Sequence, residues 1–370
     1  MQKKLIAAAV AGAFVAPAAF AQSTVTIGGT IYTEVGHVST DRYADGNIFQ
    51  TPGSELSIKG EENLGGGMSA WFQCNTTFDV RGSDPQGMCG RNSALGLKGG
   101  FGNVYVGNWD TPFKRAAGVN RIVNETGLAG ASFLLTGGAS SYNANATRGS
   151  FSRRQNQSFS YETPTFNGFS AAVMTTSDNS ATGTVSGTTA AKPRVNSIAA
   201  FYNNGPISLT AGYEQHKQFV AGSTAGDDKG WVLSGGYTIG AVKLGAIYTE
   251  QKFESTTTTG SKVKVWHLAA DWAIAGPHGV RFGYTSAGDM KAYNGTAGAA
   301  VAPRPAAGND TGAKLTQLGY YNKLSKRTEA TLTYVKLDNK NSATYSLGGL
   351  TTQAAGKDSS AYLIGLRHTF

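Results

Sequence analysis

The 370-residue sequence predicts an all-β chain that closes into a sixteen-stranded antiparallel transmembrane β-barrel. Short segments in which apolar residues alternate with small or polar ones recur along the chain. The connections between these segments are alternately tight and long, and tryptophans and tyrosines fall near the predicted strand ends. A membrane barrel has short turns at one end, long loops at the other, and aromatic residues at both interfaces.

The first 21 residues are expected to be a signal peptide, outside the fold. Lys3 and Lys4 precede the apolar run Leu5 to Val15, and Ala19-Phe20-Ala21 has the small-x-small pattern of a secretory cleavage site. A membrane anchor is the alternative, but the apolar run is short and no stop-transfer flank follows it. We therefore expect an exported chain, residues 22–370, that forms one barrel domain.

The composition argues against several classes of protein. Only 40% of residues are hydrophobic, and after the signal no stretch reaches the ~18 uninterrupted apolar residues of a membrane helix. The chain is therefore either soluble or crosses a membrane as a barrel. The net charge is +9, but charged residues make up 15% of the chain and both signs are scattered. Because no basic block with interleaved aromatics occurs, no nucleic-acid partner is expected.

The strand count follows from the tight turns. In the clearest hairpin, Leu233 and Tyr237 share one face of a strand, and the next strand begins at Val242. Seven such turns pair fourteen strands: Glu62 to Gly67, Gly99 to Gly102, Pro164 to Gly168, Asn203 to Pro206, Thr238 to Ala241, Ala275 to Gly279 and Leu324 to Arg327. A first strand, Val25 to Val35, and a last one, Tyr362 to Phe370, complete the even number that a closed barrel requires.

A soluble β-sandwich is the main structural alternative, since it also has one apolar and one polar face per strand. The alternating loop lengths and the aromatic residues near strand ends favour the barrel. These aromatic residues are Tyr161, Tyr202, Tyr248, Trp266, Trp272, Tyr334 and Tyr362.

The two cysteines, Cys74 and Cys89, predict a disulfide, because an even pair close in sequence in an exported chain is typical of one. A metal site is the alternative, but there is no CxxC motif and no neighbouring histidine. Closing this loop should stabilise the chain by roughly 3 kcal/mol.

Several blocks in order carry a family resemblance: TVTIGGTIYTEVG, ELSIKGEENLGGGMSAWFQ, ALGLKGGFGNVYVGNWDTPF, RRQNQSFSYETPTFNGFSAA and the terminal GLRHTF. With them, the chain resembles the trimeric, sixteen-stranded general-diffusion porins of Gram-negative outer membranes. The resemblance implies a homotrimer in outer-membrane lipid that passes small hydrophilic solutes and ions. The compact outward residues Val25, Ile27, Gly29 and Ile31 of the first strand agree with close packing between barrels. Neither a cofactor nor a metal is expected.

The resemblance further implies that the stretch from about Trp109 to Gly149 folds into the barrel as a constriction loop. Strand alternation directs Glu55, Ser57 and Lys59 into the lumen, and likewise Arg154, Asn156 and Ser158. The candidate pore-lining residues are Glu55, Lys59, Asp110, Lys114, Arg115, Arg121, Glu125 and Arg154.

The charges predict a mixed pore wall. The resemblance implies that anion-preferring porins of this kind carry arginines at the three positions that match Glu55, Asn92 and Arg154. This sequence keeps an arginine only at Arg154. Strong anion selectivity is therefore not expected. For each candidate residue, the alternative is an ordinary hydrated lumen side chain with no special role.

The sequence favours a passive pore over other functions. A solute-specific channel for anions or organic acids should show an aromatic slide or a dense basic cluster, whereas Trp109, Phe113 and Phe133 look dispersed. An outer-membrane barrel enzyme would need a nucleophile or acid near a histidine. The five histidines, His37, His216, His267, His278 and His368, form no such motif. A secreted adhesin is similarly disfavoured.

Overall fold

A computed structural model describes residues 24–41, 45–82, 87–123, 127–138, 149–176, 194–219, 226–254, 259–293, 296–297, 301, 304–348, 350 and 353–370. The predicted signal peptide lies outside these residues, and so does Glu125. The cleavage site and the start of the mature chain therefore stay predictions.

Nearly all of the regular structure is β-strand. The first strands are β1 (Thr24–Thr40), β2 (Gly46–Gln50), β3 (Glu55–Gly65), β4 (Met68–Thr77), β5 (Ser93–Gly99), β6 (Gly102–Asp110), β7 (Arg154–Glu162), β8 (Phe169–Thr176), β9 (Arg194–Asn204) and β10 (Ile207–Lys217). The others are β11 (Asp228–Ile239), β12 (Val242–Glu254), β13 (Thr259–Ala275), β14 (His278–Ala287), β15 (Lys291–Tyr293), β16 (Thr296–Ala297), β17 (Ala313–Lys323), β18 (Thr328–Asn339) and β19 (Ser359–Thr369).

Two short helices, Pro112–Gly118 and Ser132–Thr136, lie between β6 and β7. Among the described residues, no helix is long and apolar enough to cross a membrane.

The sheet closes on itself. Consecutive long strands pair antiparallel around the ring, and β19 returns to pair with β1 from Thr30↔Thr369 to Thr40↔Ser359. The short strand β2 extends the edge of β1 beyond β3, and β15 and β16 add to the loop end of β13. The other sixteen strands form the closed antiparallel barrel, so the predicted fold class is confirmed.

The two ends of the barrel differ as predicted. All seven predicted tight turns lie at one end, and both Thr24 and Phe370 lie there too. Glycine is required in the turn between β3 and β4, where Gly65, Gly66 and Gly67 all have positive φ angles, of 81°, 60° and 77°. Most connections at the other end are longer, although only four residues separate β12 from β13.

The outer face of the strands is apolar. Leu95 is 63% exposed and Ile239 is 58% exposed on this face, whereas residues that face the lumen, such as Ser234, are buried. Aromatic rings contact one another on neighbouring strands in the pairs Trp231–Tyr248, Trp266–Tyr284, Phe169–Tyr202 and Tyr334–Tyr362. An apolar outer band with aromatic contacts is what a barrel in lipid presents.

The described part of the connection between β6 and β7, residues 111–123, 127–138 and 149–153, folds into the lumen, and we call these residues the inner loop. The Thr111 side chain accepts a hydrogen bond from the Lys114 N–H (3.3 Å) and Pro112 takes the first helical position, which starts the first helix. The helices were missed because no apolar period is sustained over such short segments. The Thr111-Pro112 pair was the available sequence signal that a helix begins here.

Polar side chains of the barrel wall hold the backbone of the inner loop. Ser197 accepts from the Phe113 N–H (3.0 Å), and Asn120 donates to Ser234 Oγ (2.8 Å). Loop carbonyls accept further bonds from the wall: Ala116 from Thr210 (2.9 Å), Arg121 from His267 (3.0 Å) and Leu135 from Gln251 (2.9 Å). The buried backbone of this loop needs such partners, because water cannot reach it where it packs against the wall.

The second half of the inner loop packs into an apolar core at the long-loop end. Leu128, Leu134 and Leu135 are buried in one cluster with residues of the loops that follow β14 and β18, among them Met290 and Leu347. Arg304, 1% exposed, donates to the Leu134 carbonyl (2.8 Å) and to Gln251 Oε1 (2.7 Å). Protein therefore fills part of the lumen, while Lys59 and Glu61 on the inner face of β3 remain exposed.

Substitution of Gly245 tests whether packing against the wall positions the inner loop. A Cβ at Gly245 would overlap the Asn120 carbonyl, so Gly245→Val should push the inner loop away from β12 and into the passage. Overpacking of this kind costs about 1–3 kcal/mol, and single-channel conductance in a planar bilayer should fall. Gly235→Val is the matched control, because its Cβ would meet only the Leu209 side chain at 3.4 Å. Equal conductance in both variants would contradict the packing.

Candidate functional site

A charged cluster lies where the chain leaves β6 for the inner loop. Asp110 accepts from Lys114 Nζ (2.8 Å) and from Arg154 Nε (3.1 Å), and Asn92 accepts from Arg154 Nε (2.7 Å). We call Asn92, Asp110, Lys114 and Arg154 the central cluster. Strand register brings Asp110 and Arg154 together, and one helical turn brings Lys114 to Asp110.

A second ion pair joins β3 to the loop before β5. Arg91 Nε donates to Glu55 Oε2 (3.0 Å), and Asn75 donates to the same carboxylate (3.0 Å). Arg91 also contributes to the electrostatic environment of Asp110. Sequence analysis singled out Glu55 but missed Arg91, although its position next to Asn92 and just after Cys89 was a usable signal.

The predicted disulfide between Cys74 and Cys89 is present, with Cα atoms 4.7 Å apart. The Cys89 N–H also donates to Thr76 Oγ1 (2.9 Å), and the Arg91 N–H donates to the Asn75 carbonyl (2.9 Å). These bonds fasten the loop after β4 to β4 itself. Because Arg91 follows Cys89 by two residues, the disulfide helps to hold its guanidinium beside Glu55.

The loop closed by the disulfide contains a further ion pair. Hydrogen bonds from Arg81 lower the pKa of the Asp79 carboxyl to about 2, and Thr51 also donates to it (2.8 Å). Asp79 therefore stays charged at neutral pH and ties the loop to the segment before β3.

The other candidate cations have different surroundings. Lys59 is exposed on the inner face of β3 and has no ion-pair partner among the described residues. Arg115 binds Glu162, whose carboxylate also accepts from the Tyr105 hydroxyl (2.9 Å). Arg121 is only 2% exposed and lies against the wall, apart from the central cluster.

A β-bulge interrupts the alternation expected around Arg154. The register of β6 with β7 shifts between Gly107 and Trp109, and Gln157 has a φ of 51°. Ser158 is buried on the inner face as predicted, but Gln155 is buried and Asn156 is exposed. A bulge adds a residue to one strand, so strict alternation cannot place residues on both sides of it.

A third charged group was missed by sequence analysis. Arg281 on β14 bonds Asp271 (3.1 Å) and Glu329 (2.8 Å), and its guanidinium lies 4.1 Å from the centre of the Tyr321 ring. Asp271 is its register partner on β13. Opposite charges on neighbouring inner faces were the available signal.

Three aromatic rings contact one another on the inner wall beside the central cluster. The ring centres of Trp71, Tyr105 and Trp109 are 5.5 Å (Trp71–Tyr105), 5.8 Å (Trp71–Trp109) and 5.2 Å (Tyr105–Trp109) apart. We call these residues the aromatic trio. Trp109 looked isolated in the sequence, whereas the strand register brings it together with two residues from β4 and β6. Tyr105 is 3% exposed, and the two tryptophans are half-buried.

The comparisons with known proteins agree with this geometry. A family model described as a Gram-negative porin matches residues 7–342. The chain belongs to the Gram-negative porin family. The resemblance found in the sequence is thereby confirmed, and this porin is an outer-membrane protein.

Outer membrane porin protein 32 of Delftia acidovorans is 32% identical to this porin over 234 residues, 62% of this chain and 64% of that protein. This porin's alignment thus spans just under two thirds of its relative's length.

Two solved structures share the fold. An anion-selective porin from Comamonas acidovorans matches with a TM-score of 0.74 and 26% identity, over 94% of this chain and 100% of that one. The trimer form of OmpT from Vibrio cholerae matches with a TM-score of 0.65 and 15% identity, over 94% and 99% of the two chains.

Removing the disulfide should loosen the loop that carries Arg91. The double variant Cys74→Ser, Cys89→Ser should lose about 3 kcal/mol of stability, because the bridge closes a loop between residues 15 apart. Urea unfolding in detergent, followed by tryptophan fluorescence, measures this loss. An unchanged unfolding midpoint would show that the loop is held without the bridge.

Proposed function

We propose that this porin forms a water-filled channel through which small hydrophilic solutes and ions diffuse passively. The observation that carries the proposal is a closed barrel whose inner loop is hydrogen-bonded to the inner wall and begins beside a charged cluster. Solutes would be selected first by size. Fixed charges at the narrow level would then bias which ions enter.

The arrangement of charges supports weak rather than strong ion selectivity. Arg91, Lys114 and Arg154 face Glu55 and Asp110 at short range, so each carboxylate already has a cationic partner. A passing ion meets paired charges whose fields largely cancel beyond a few ångströms. A wall of unpaired arginines would attract anions more strongly.

We propose a homotrimer in outer-membrane lipid. Support comes from the family and from the outer face of β1, where Val25 is 65% exposed and Ile27 is 66% exposed. Compact apolar side chains of this kind allow close contact between barrel walls. Mass measurement in detergent under non-denaturing conditions would give three times the chain mass, and a monomer would contradict the proposal.

We propose no catalytic role. His37, His216, His267, His278 and His368 lie on five different strands. His216 is buried against Glu214, and His267 bonds Thr285 and the inner-loop backbone. These contacts account for both buried rings as structural groups.

Planar-bilayer recording of the purified protein tests the channel directly. Stepwise conductance increases are expected in potassium chloride, with a small reversal potential under a salt gradient. A protein that inserts but carries no current would overturn the proposed function.

Replacing Arg154 should shift selectivity toward cations. Arg154→Gln removes a positive charge from the central cluster and leaves Asp110 paired only with Lys114. A unit charge at contact distance in water is worth about 1 kcal/mol, so the anion-to-cation permeability ratio should fall by roughly two- to fivefold. The measurement is the reversal potential at low salt. The shift should shrink at high salt because of screening. Lys326→Gln, exposed in a tight turn, is the control and should leave the potential unchanged.

Replacing Glu55 should act in the opposite direction. Glu55→Gln leaves Arg91 charged without its carboxylate, so the reversal potential should move toward anions. The double variant Glu55→Gln, Arg91→Gln removes both charges and should return the potential close to that of the wild type. If the single and double variants shift it equally, the two charges do not act on ions as a pair.

A further inference from the structure

We propose that Lys59 and Trp71, whose ring is packed against Tyr105 and Trp109, form a binding site for small carboxylates that carry an aromatic ring. The site would hold such solutes briefly on the lumen wall as they pass. This inference rests on the proposed channel and adds a solute class to it.

The cavity beside the trio has the size and lining of a small-molecule site. Its volume is about 370 Å³, and its lining includes Lys59, Glu61, Trp71, Gln73, Lys98 and Asn103. Ligand pockets in proteins usually measure about 300–1,000 Å³ and combine apolar surface with a few placed polar groups. The volume suits one ring with a short substituent.

The apolar part of the site is rigid. The Trp71 indole N–H donates to Asn103 Oδ1 (2.8 Å), and the indole lies over Gly96, where a side-chain Cβ would overlap it. The Tyr105 ring contacts both tryptophans, and its hydroxyl donates to Glu162 (2.9 Å). The half-buried indole of Trp71, which lines the cavity, can therefore receive a solute ring without rearranging, and tilted or edge contacts between rings are favourable.

The polar part of the site favours a carboxylate. Lys59 is exposed and, within the described part of the chain, has no ion-pair partner. The neighbouring Lys98 is bound to Glu61 (2.6 Å), so the lining carries one uncompensated positive charge. A ring-bearing cation would meet Lys59 unfavourably, and a carboxylate without a ring would gain no contact with the indoles.

The site lies within the passage. Trp71 is three residues from the start of β4 at the tight-turn end, whereas Trp109 adjoins Asp110 of the central cluster. The trio thus connects the narrow level of the lumen with the tight-turn mouth. A solute leaving the central cluster would meet the rings next.

Benzoate is the probe, and its effect on single-channel potassium chloride current is the measurement. Benzoate should reduce the current in a saturable way, whereas acetate, which lacks the ring, and benzyl alcohol, which lacks the charge, should not at the same concentrations. Trp71→Leu should raise the half-blocking concentration by roughly two- to tenfold, the value of an aromatic contact. Trp71→Phe should retain most of the block.

Lys59→Gln should raise the half-blocking concentration by about two- to fivefold at low salt and by less at high salt, as for a solvent-exposed ion pair. Trp272→Leu is the matched control, because Trp272 is 50% exposed on the outer face. It should leave the block unchanged.

The outcomes separate the site from the channel. A wild-type protein with normal ion current but no saturable block by benzoate overturns the site and leaves the channel standing. Block that is equal in the wild type, Trp71→Leu and Lys59→Gln also overturns it, because binding would then lie elsewhere. A protein that carries no current overturns the proposed function itself.

Discussion

Backbone hydrogen bonding in lipid is the constraint on which the rest of the structure depends. A sheet in hydrocarbon can leave no edge, and pairing of β1 with β19 over eleven register positions removes the last one. Closure in turn fixes which residues face inward, since alternate side chains point to opposite faces of every strand. The charged lumen is thus a consequence of the same register that satisfies the backbone.

The backbone of the inner loop also needs hydrogen-bond partners inside the lumen. Its irregular backbone is held by side chains such as Ser197, Thr210 and His267, so the wall supplies the partners that neighbouring strands supply elsewhere. The central cluster and the aromatic trio both lie where this loop leaves β6. The position of both groups therefore follows from the strand register and from the point at which the loop begins.

Much of the fold was predictable from the sequence, because turns and strand faces are specified by residues close together in the chain. Turn residues such as Gly65 and alternating faces such as those around Leu233 are short-range signals. The partner of Glu55 and the grouping of Trp109 with Trp71 could not be predicted from the sequence, because they depend on which strands become neighbours and on their register. The bulge at Gln157 shows the same limit, since one added residue changes the face of its neighbours.

The position of the inner loop also constrains when its backbone can be buried. Its two ends belong to β6 and β7, but the wall that holds it comes from β9 to β13. Until those strands arrive, the polar backbone of the loop has only water as a partner. Whatever the order in which the strands pair, the loop stays hydrated until β9 to β13 have formed the wall around it.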